Sequence, residues 1–311
     1  MRALVTGSSG HLGEALVRTL SDLGHEVVGL DIREGPFTHR IGSIVEGKCV
    51  ARWVAGVETV FHTATLHRPH LETHGHQAFV DTNVAGTLNL LEAAAAAGVG
   101  AFVFTSTTSV FGDALVPPAA WVTEDVKPVP KNIYGVTKAA AEDLCQLFHR
   151  NRGLPCVVLR TARFFPEEDF DHAVRAAYAN DNIKVTEFLY RRADLEDVVS
   201  AHLAASERAP AIGFDRYIVS ATTPFLPEDL PDLRHDAPLA ARRRVPGYER
   251  EYARRGWRMV PRIDRVYVNA RARDALGWQP RYDFGFLIER LKNGEDTRSP
   301  LARLVGSKGY S

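Results

Sequence analysis

The sequence is short of cysteine. It holds three among 311 residues, Cys49, Cys145 and Cys156, too few and too scattered for a disulfide framework or a cysteine-based zinc site. The expected compartment is a reducing one, with Cys145 and Cys156 as small buried residues. Charge of one sign is also missing. Lys+Arg and Asp+Glu number 38 each, so no overall field draws the chain to nucleic acid or to an anionic membrane. No apolar run reaches membrane-spanning length, and "MRALVTG" runs straight into a strand with no leader pattern, so the expected place is the cytoplasm. Internal repeats and low-complexity linkers are absent. The hydrophobic fraction of 45% and charged fraction of 24% are ordinary, and the length admits one large α/β domain or two unequal lobes.

What is present is an alternation. "RALVT" is a short apolar strand ended by "GSSG"; "HLGEALVRTLSDLG" has Leu12, Leu16, Val17 and Leu20 on one helical face; "HEVVGLD" is a second strand. Strands at 57–62, 101–106 and 155–160 follow, separated by a long helix over 80–97 and by the helix that Tyr134 opens. Strands alternating with helices predict a doubly wound parallel sheet of the Rossmann type. The predicted organisation is a dinucleotide-binding core over 1–165, with later contributions from about 183–220, and a smaller substrate lobe over 166–311. Residues 222–262 show no sheet pattern, and the tail "SPLARLVGSKGYS" is expected to be loosely held.

"TGSSGHLG" places Gly7, Gly10 and Gly13 between a readable strand and a readable helix. Such a loop lets the backbone approach a pyrophosphate, and the helix start offers amide donors and a favourable dipole. Asp31 ends the second strand, where a carboxylate accepts both hydroxyls of an adenosine ribose and repels a 2′-phosphate. NAD is therefore preferred over NADP, with Arg33 placed to stack on adenine or to meet a phosphate. In "NIYGVTK", Tyr134 and Lys138 are one helical turn apart. An adjacent ammonium stabilises phenolate, which predicts that Lys138 lowers the Tyr134 pKa and makes the phenol a usable acid or base. "TSTTSVFGD" supplies hydroxyls from the preceding strand end.

Taken together, "TGSSGHLG", "VFHTAT", "DTNVAGTLNLLEAA", "FVFTSTTSVFGD", "TEDVKPVPKNIYGVTKAAAEDL" and "DLEDVVSAH" resemble the extended short-chain dehydrogenases/reductases, in the NAD-dependent epimerase/dehydratase branch. The resemblance covers about residues 1–205. It implies bound NAD, Tyr134 as catalytic acid/base, Lys138 on the nicotinamide ribose and Thr107 as the hydroxyl partner. It further implies a cofactor pocket of Gly7, Ser9, Gly10, His11, Leu12, Gly13, Asp31, Ile32, Ala64, Thr65, Asn83 and Thr105, together with Tyr134 and Lys138. His62 would lie under the cofactor in a structural role. His67 and Thr108 would touch a sugar-like substrate. The pattern departs where nucleotide-sugar enzymes keep an Asn, for here stands Arg163. Arg191 and Arg192 lie beside another expected anion-binding slot, held here by Tyr190. Either Arg163, Arg191 or Arg192 clamps a carboxylate or phosphate, or they pair with nearby acids and brace the small lobe. Thr108 and Ser109 do not supply the Asp–Glu pair of dehydratases.

The implied activity is hydride transfer on a sugar-like alcohol or ketone; a nucleotide-sugar 4-epimerase of the UDP-glucose/galactose type and a non-catalytic NAD-binding sensor or scaffold are the alternatives. A homodimer through a four-helix interface is implied by Leu88, Leu91 and Ala95 with Leu144, Leu147 and Phe148; plain core packing is the other reading. His67, His70, His74 and His76 crowd one loop without acidic or thiol partners at ligand spacing, so no metal is expected. The seven arginines of "ARRRVPGYEREYARRGWR" read as a solvated helix with acid partners, not as a nucleic-acid patch.

Overall fold

The computed structural model describes residues 1–114, 117–169 and 171–309. Nine strands lie among them: β1 (Arg2–Thr6), β2 (Glu26–Asp31), β3 (Arg40–Ile41), β4 (Thr59–His62), β5 (Ala101–Thr107), β6 (Ala120–Val122), β7 (Cys156–Thr161), β8 (Phe214–Val219) and β9 (Arg265–Tyr267). Seven form one sheet in the order β3-β2-β1-β4-β5-β7-β8, and every pairing is parallel. The fold is the doubly wound Rossmann type the alternation predicts.

Side-chain alternation explains why both faces are covered. Ala101 and Val103 of β5, with Val157 and Leu159 of β7, join the core under the helices His11–Asp22 and Leu195–Ile212. Phe102 and Phe104, with Cys156 and Val158, join the opposite core under Gly47–Val54, Gly86–Ala97 and Ile133–Arg152. Cys145 and Cys156 are fully buried there. Leu91 also lies in that core, and Leu144 and Phe148 pack partly against it, whereas Leu147 is exposed. A separate apolar core gathers residues from Ile183 to Leu291, including Phe188, Tyr252, Phe284 and Leu287.

The strand order reverses between β1 and β4, and the glycine loop leaves the carboxyl end of β1 at that crevice, the position at which such sheets bind ligands. Gly7 adopts φ +74°, and a Cβ on it would lie 2.8 Å from the Ala64 amide; a Cβ on Gly13 would lie 1.9 Å from the Gly7 carbonyl oxygen. Only glycine permits this packing of loop, helix and β4.

Three elements differ from expectation. Residues 80–97 are not one regular helix. Val80–Ala85 is a π turn that runs into the α-helix Gly86–Ala97, and Asn83 sits on the widened turn. The tail is ordered through Gly309, a correction to the loose tail expected. Ser299 caps the helix Pro300–Val305, Val305 is buried, and Ser307 Oγ and Lys308 N donate to Glu167 at 2.8 and 3.0 Å. The arginine-rich run folds as two helices, Ala237–Arg244 and Tyr248–Arg254. Its charges meet acids: Arg242 with Glu249, Arg243 with Asp229 and Asp232, Arg244 with Glu228 and Asp229, and Arg254 and Arg255 with Glu251.

Candidate active site

A cleft of about 980 Å³ opens at the carboxyl ends of the strands. Of the residues singled out in the sequence, Gly7, Ser9, Gly10, His11, Leu12, Gly13, Asp31, Ile32, Ala64, Thr65, His67, Thr105, Thr107, Thr108, Tyr134, Arg163 and Arg191 line it. Lys138 and Asn83 are not among its lining residues.

At one end the Asp31 carboxylate is held by loop amides. Ser9 N donates to Oδ2 and Arg33 N to Oδ1, each at 2.9 Å. Ile32 beside it is exposed, and no side chain caps Gly10 at the start of the following helix. Crowded glycines, an uncapped helix start and a carboxylate at the end of β2 fit a dinucleotide: the loop would hold the pyrophosphate and Asp31 the ribose hydroxyls. His11 departs from a plain loop residue. Its Nε2 lies 2.9 Å from Glu167 Oε1, with both side chains buried. Burial pushes Glu167 up, but hydrogen bonds and charge from His11 reverse this and bring it down to about 2.

In the middle, Asn132 caps the helix Ile133–Arg152 by accepting from Gly135 N at 3.1 Å, which sets Tyr134 in the first turn. Tyr134 and Thr107 are both buried and both line the cleft, and Thr107 Oγ1 accepts from Ser109 N at 3.1 Å. Burial raises Tyr134 to about 12, with the nearby Thr107 hydroxyl opposing. This differs from the expectation that Lys138 lowers it. The Lys138 ammonium sits 4.0 Å above the Phe104 ring, and burial lowers it to about 7, with Glu142 opposing.

Asn83 does not reach into the cleft because its amide is engaged elsewhere. Its Oδ1 accepts from Thr65 Oγ1 and Leu66 N, each at 2.9 Å, and its Nδ2 donates to Leu66 O at 2.9 Å and Thr137 Oγ1 at 3.1 Å. It ties the loop after β4 to the tyrosine helix. His62 is buried between Thr6 Oγ1 at 2.8 Å and Thr87 Oγ1 at 2.9 Å, and burial holds it well below the ordinary histidine range. Thr105 faces the cleft, but its hydroxyl lies 2.7 Å from His202 Nε2. The loop histidines contact one another: His67 and His70 rings meet edge to face at 4.6 Å, and His67 stacks on Phe165 at 5.4 Å. Among the described residues no group of three or more His, Cys, Asp or Glu is placed to hold a metal ion.

A family model for the NAD dependent epimerase/dehydratase family matches residues 3–216. The chain belongs to that family. One relative, the UDP-glucose 4-epimerase of Mycolicibacterium smegmatis, is 29% identical over 90% of this chain and 94% of that protein. The 3-beta-hydroxysteroid dehydrogenase of Mycolicibacterium neoaurum is 41% identical over 35% of this chain. The chain spans 32% to 55% of the length of several curated relatives that it matches. Among solved structures, a short-chain dehydrogenase/reductase superfamily protein from Agrobacterium tumefaciens with bound NAD superposes with a TM-score of 0.69 at 25% identity, covering 94% of this chain and 96% of that one.

At the far end, this family member engages its arginines with acids. Arg163 Nη1 pairs with Asp169 and, at 2.9 Å, with Glu187; Arg191 Nη2 lies 2.7 Å and Arg192 Nε 2.9 Å from Glu187. Glu187, at the end of the helix Asn180–Glu187, was missed as their partner, although it stands four residues before Arg191. Of the two readings of these arginines, bracing is the one with contacts behind it. Glu142 was missed too, although it stands at i+4 from Lys138 on the same helical face.

Proposed function

We propose that the chain is an NAD-dependent oxidoreductase or epimerase acting on a sugar or sugar-like alcohol or ketone. The observation that carries this reading is that Tyr134 and Thr107 are both buried in the wall of the cleft that also holds the glycine loop and Asp31. Bound NAD supplies a hydride acceptor, and its reduced form a hydride donor. Tyr134 moves the proton of the substrate oxygen, and Thr107 hydrogen-bonds the same oxygen. Burial keeps the phenol protonated at neutral pH, so it is set to donate to the oxygen of a carbonyl as hydride arrives. In the oxidising direction it must first give up its own proton, and as phenolate, which a nearby Lys138 ammonium favours, it takes the proton of the substrate hydroxyl. Thr108 and His67 line the space for the substrate beside this pair. The protein acts alone or as a homodimer with a small-molecule substrate in the cytoplasm; no described helix is long and apolar enough to cross a membrane.

A second reading, a nucleotide-sugar 4-epimerase, has its support in the alignment that spans nearly the whole M. smegmatis UDP-glucose 4-epimerase. Two measurements separate the readings. NAD released on denaturing the fresh protein, with interconversion of UDP-glucose and UDP-galactose, supports the epimerase. An empty protein that forms NADH with free sugars supports the dehydrogenase. Tyr134→Phe is expected to lower turnover by about 10²–10⁴ fold while NAD still binds by calorimetry; unchanged turnover would refute the assignment of Tyr134, whereas NAD binding with no turnover in the wild type would favour a non-catalytic NAD-binding protein.

A further inference from the structure

Behind the wall of the cleft lies a buried polar cluster on which the proposed reaction does not draw directly. Glu142 is 2% exposed, one turn after Lys138 on the same helix. Its Oε1 accepts from Ser106 Oγ at 2.5 Å. Its Oε2 accepts from Arg160 Nη2 at 2.7 Å and Arg216 Nε at 3.1 Å, and Arg160 Nε reaches both oxygens at 3.1 and 3.2 Å. Arg160 comes from β7 and Arg216 from β8, while Ser106 precedes Thr107 on β5. Thr161 Oγ1 donates to Ser106 O at 3.0 Å. One carboxylate therefore ties three adjacent strands of the sheet to the helix that carries Tyr134 and Lys138.

We propose that Glu142 is a positioning residue of the site: anchored by Ser106, Arg160 and Arg216, it supplies the counter-charge for the Lys138 ammonium behind Tyr134. This rests on the reading of Tyr134 and Lys138 as the working pair. The groups around Lys138 leave little else for the task. On its own helix are Tyr134, Glu142 and Cys145; from β4 comes His62, from β5 the Phe104 ring, and from the loop after β4 His67. Burial holds His62 far down and His67 at about 3, so both are neutral near pH 7, and it pushes Tyr134 and Cys145 up, so both keep their protons. The carboxylate among these groups is Glu142, one turn along the same helix. Two guanidinium groups and a hydroxyl satisfy the hydrogen-bonding capacity of that buried carboxylate. A buried ammonium, in turn, holds its proton only with such a partner.

The test uses the ligand-free protein and does not depend on knowing the substrate. The chain has seven lysines, Lys48, Lys127, Lys131, Lys138, Lys184, Lys292 and Lys308. With ¹³C-labelled lysine, the Cε resonances are followed against pH by NMR, and Lys138 is assigned from Lys138→Met. In the wild type Lys138 titrates at about 7. In Glu142→Gln its midpoint moves to lower pH, about a tenfold loss of proton affinity or more. A midpoint that stays in place in a variant with wild-type circular dichroism overturns the proposal. If Glu142→Gln does not fold, Glu142→Met with Arg160→Met removes the buried pair together, a change the fold tolerates better than half a pair; the same shift is expected, and its absence decides against the proposal. Tyr134→Phe, assayed for turnover, tests the underlying reading separately. Retained turnover refutes that reading, whereas lost turnover with an unmoved Lys138 titration refutes the role of Glu142 alone.

Discussion

At the scale of single residues, the chain holds two kinds of glycine, one in the loop after β1 and one at a helix end. A methyl group on Gly13 would meet backbone, the Gly7 carbonyl oxygen at 1.9 Å, with no flexible side chain that could give way. Gly98, at φ +69°, has open space around its Cβ position. Gly13→Ala is expected to force the loop off the helix start and weaken NAD binding at least tenfold in calorimetry. Gly98→Ala is expected to cost about 1 kcal/mol of stability, through the left-handed backbone, with NAD affinity unchanged. Equal NAD affinities in the two variants would contradict this account of the loop. The same scale holds the reversal at Tyr134. A sequence shows that Lys138 follows by one turn; it does not show that Phe104 takes the ammonium while burial, not charge, sets the phenol.

At the scale of elements, the tyrosine helix is positioned from its first residue. Asn132 caps it through Gly135 N, Glu142 locks it to three strands, and Thr137 shares the Asn83 amide with the loop after β4. Asn132→Ala is expected to destabilise the protein by about 1 kcal/mol, as cap removal typically does, and to lower turnover more than a surface cap would, because Tyr134 lies in the frayed turn. Turnover unchanged at a lowered Tm would show that the first turn is held by packing instead. The helix itself was readable from "NIYGVTK" and the apolar periodicity after it. The π turn at Val80–Ala85 was not, because "VDTNVAGTLNLL" has an ordinary helical pattern and the widened turn follows from the Asn83 contacts with Thr65 and Leu66. Strands of two or three residues, β3, β6 and β9, are too short for any period to appear.

At the scale of the whole molecule, Glu187 draws together chain from two places, Arg163 just after β7 and Arg191 and Arg192 before the helix Leu195–Ile212. Burial pushes its carboxyl up, but the guanidinium groups of Arg191, Arg192 and Arg163 outweigh this and hold it below the usual carboxylate range. Glu187→Gln leaves buried guanidinium groups short of a counter-charge and is expected to cost about 3 kcal/mol in urea unfolding at pH 7. The sign of the pH dependence follows. A folded-state pKa below the unfolded one gives stability that is present above the unfolded carboxylate pKa and is lost as pH falls through the folded one. The gap between wild type and variant should narrow on acidification from pH 6 toward pH 3; a gap that widens there would contradict the assignment.

Sequence alone determined the parts of this protein that are local. Strand and helix periods, the glycines between β1 and the first helix, Asp31 at the end of β2, and Tyr134 with Lys138 one turn apart all depend on neighbours within a few residues, so they survive without coordinates. Tertiary structure decided what depends on distant partners. Glu187 meets Arg163 from 24 residues away, Glu142 meets β5, β7 and β8, and the tail reaches Glu167 and Glu14. Whether a buried charge is bound, tuned or merely braced is set by which opposite charge the fold brings to it. Packing sets that encounter, and no spacing along the chain encodes it.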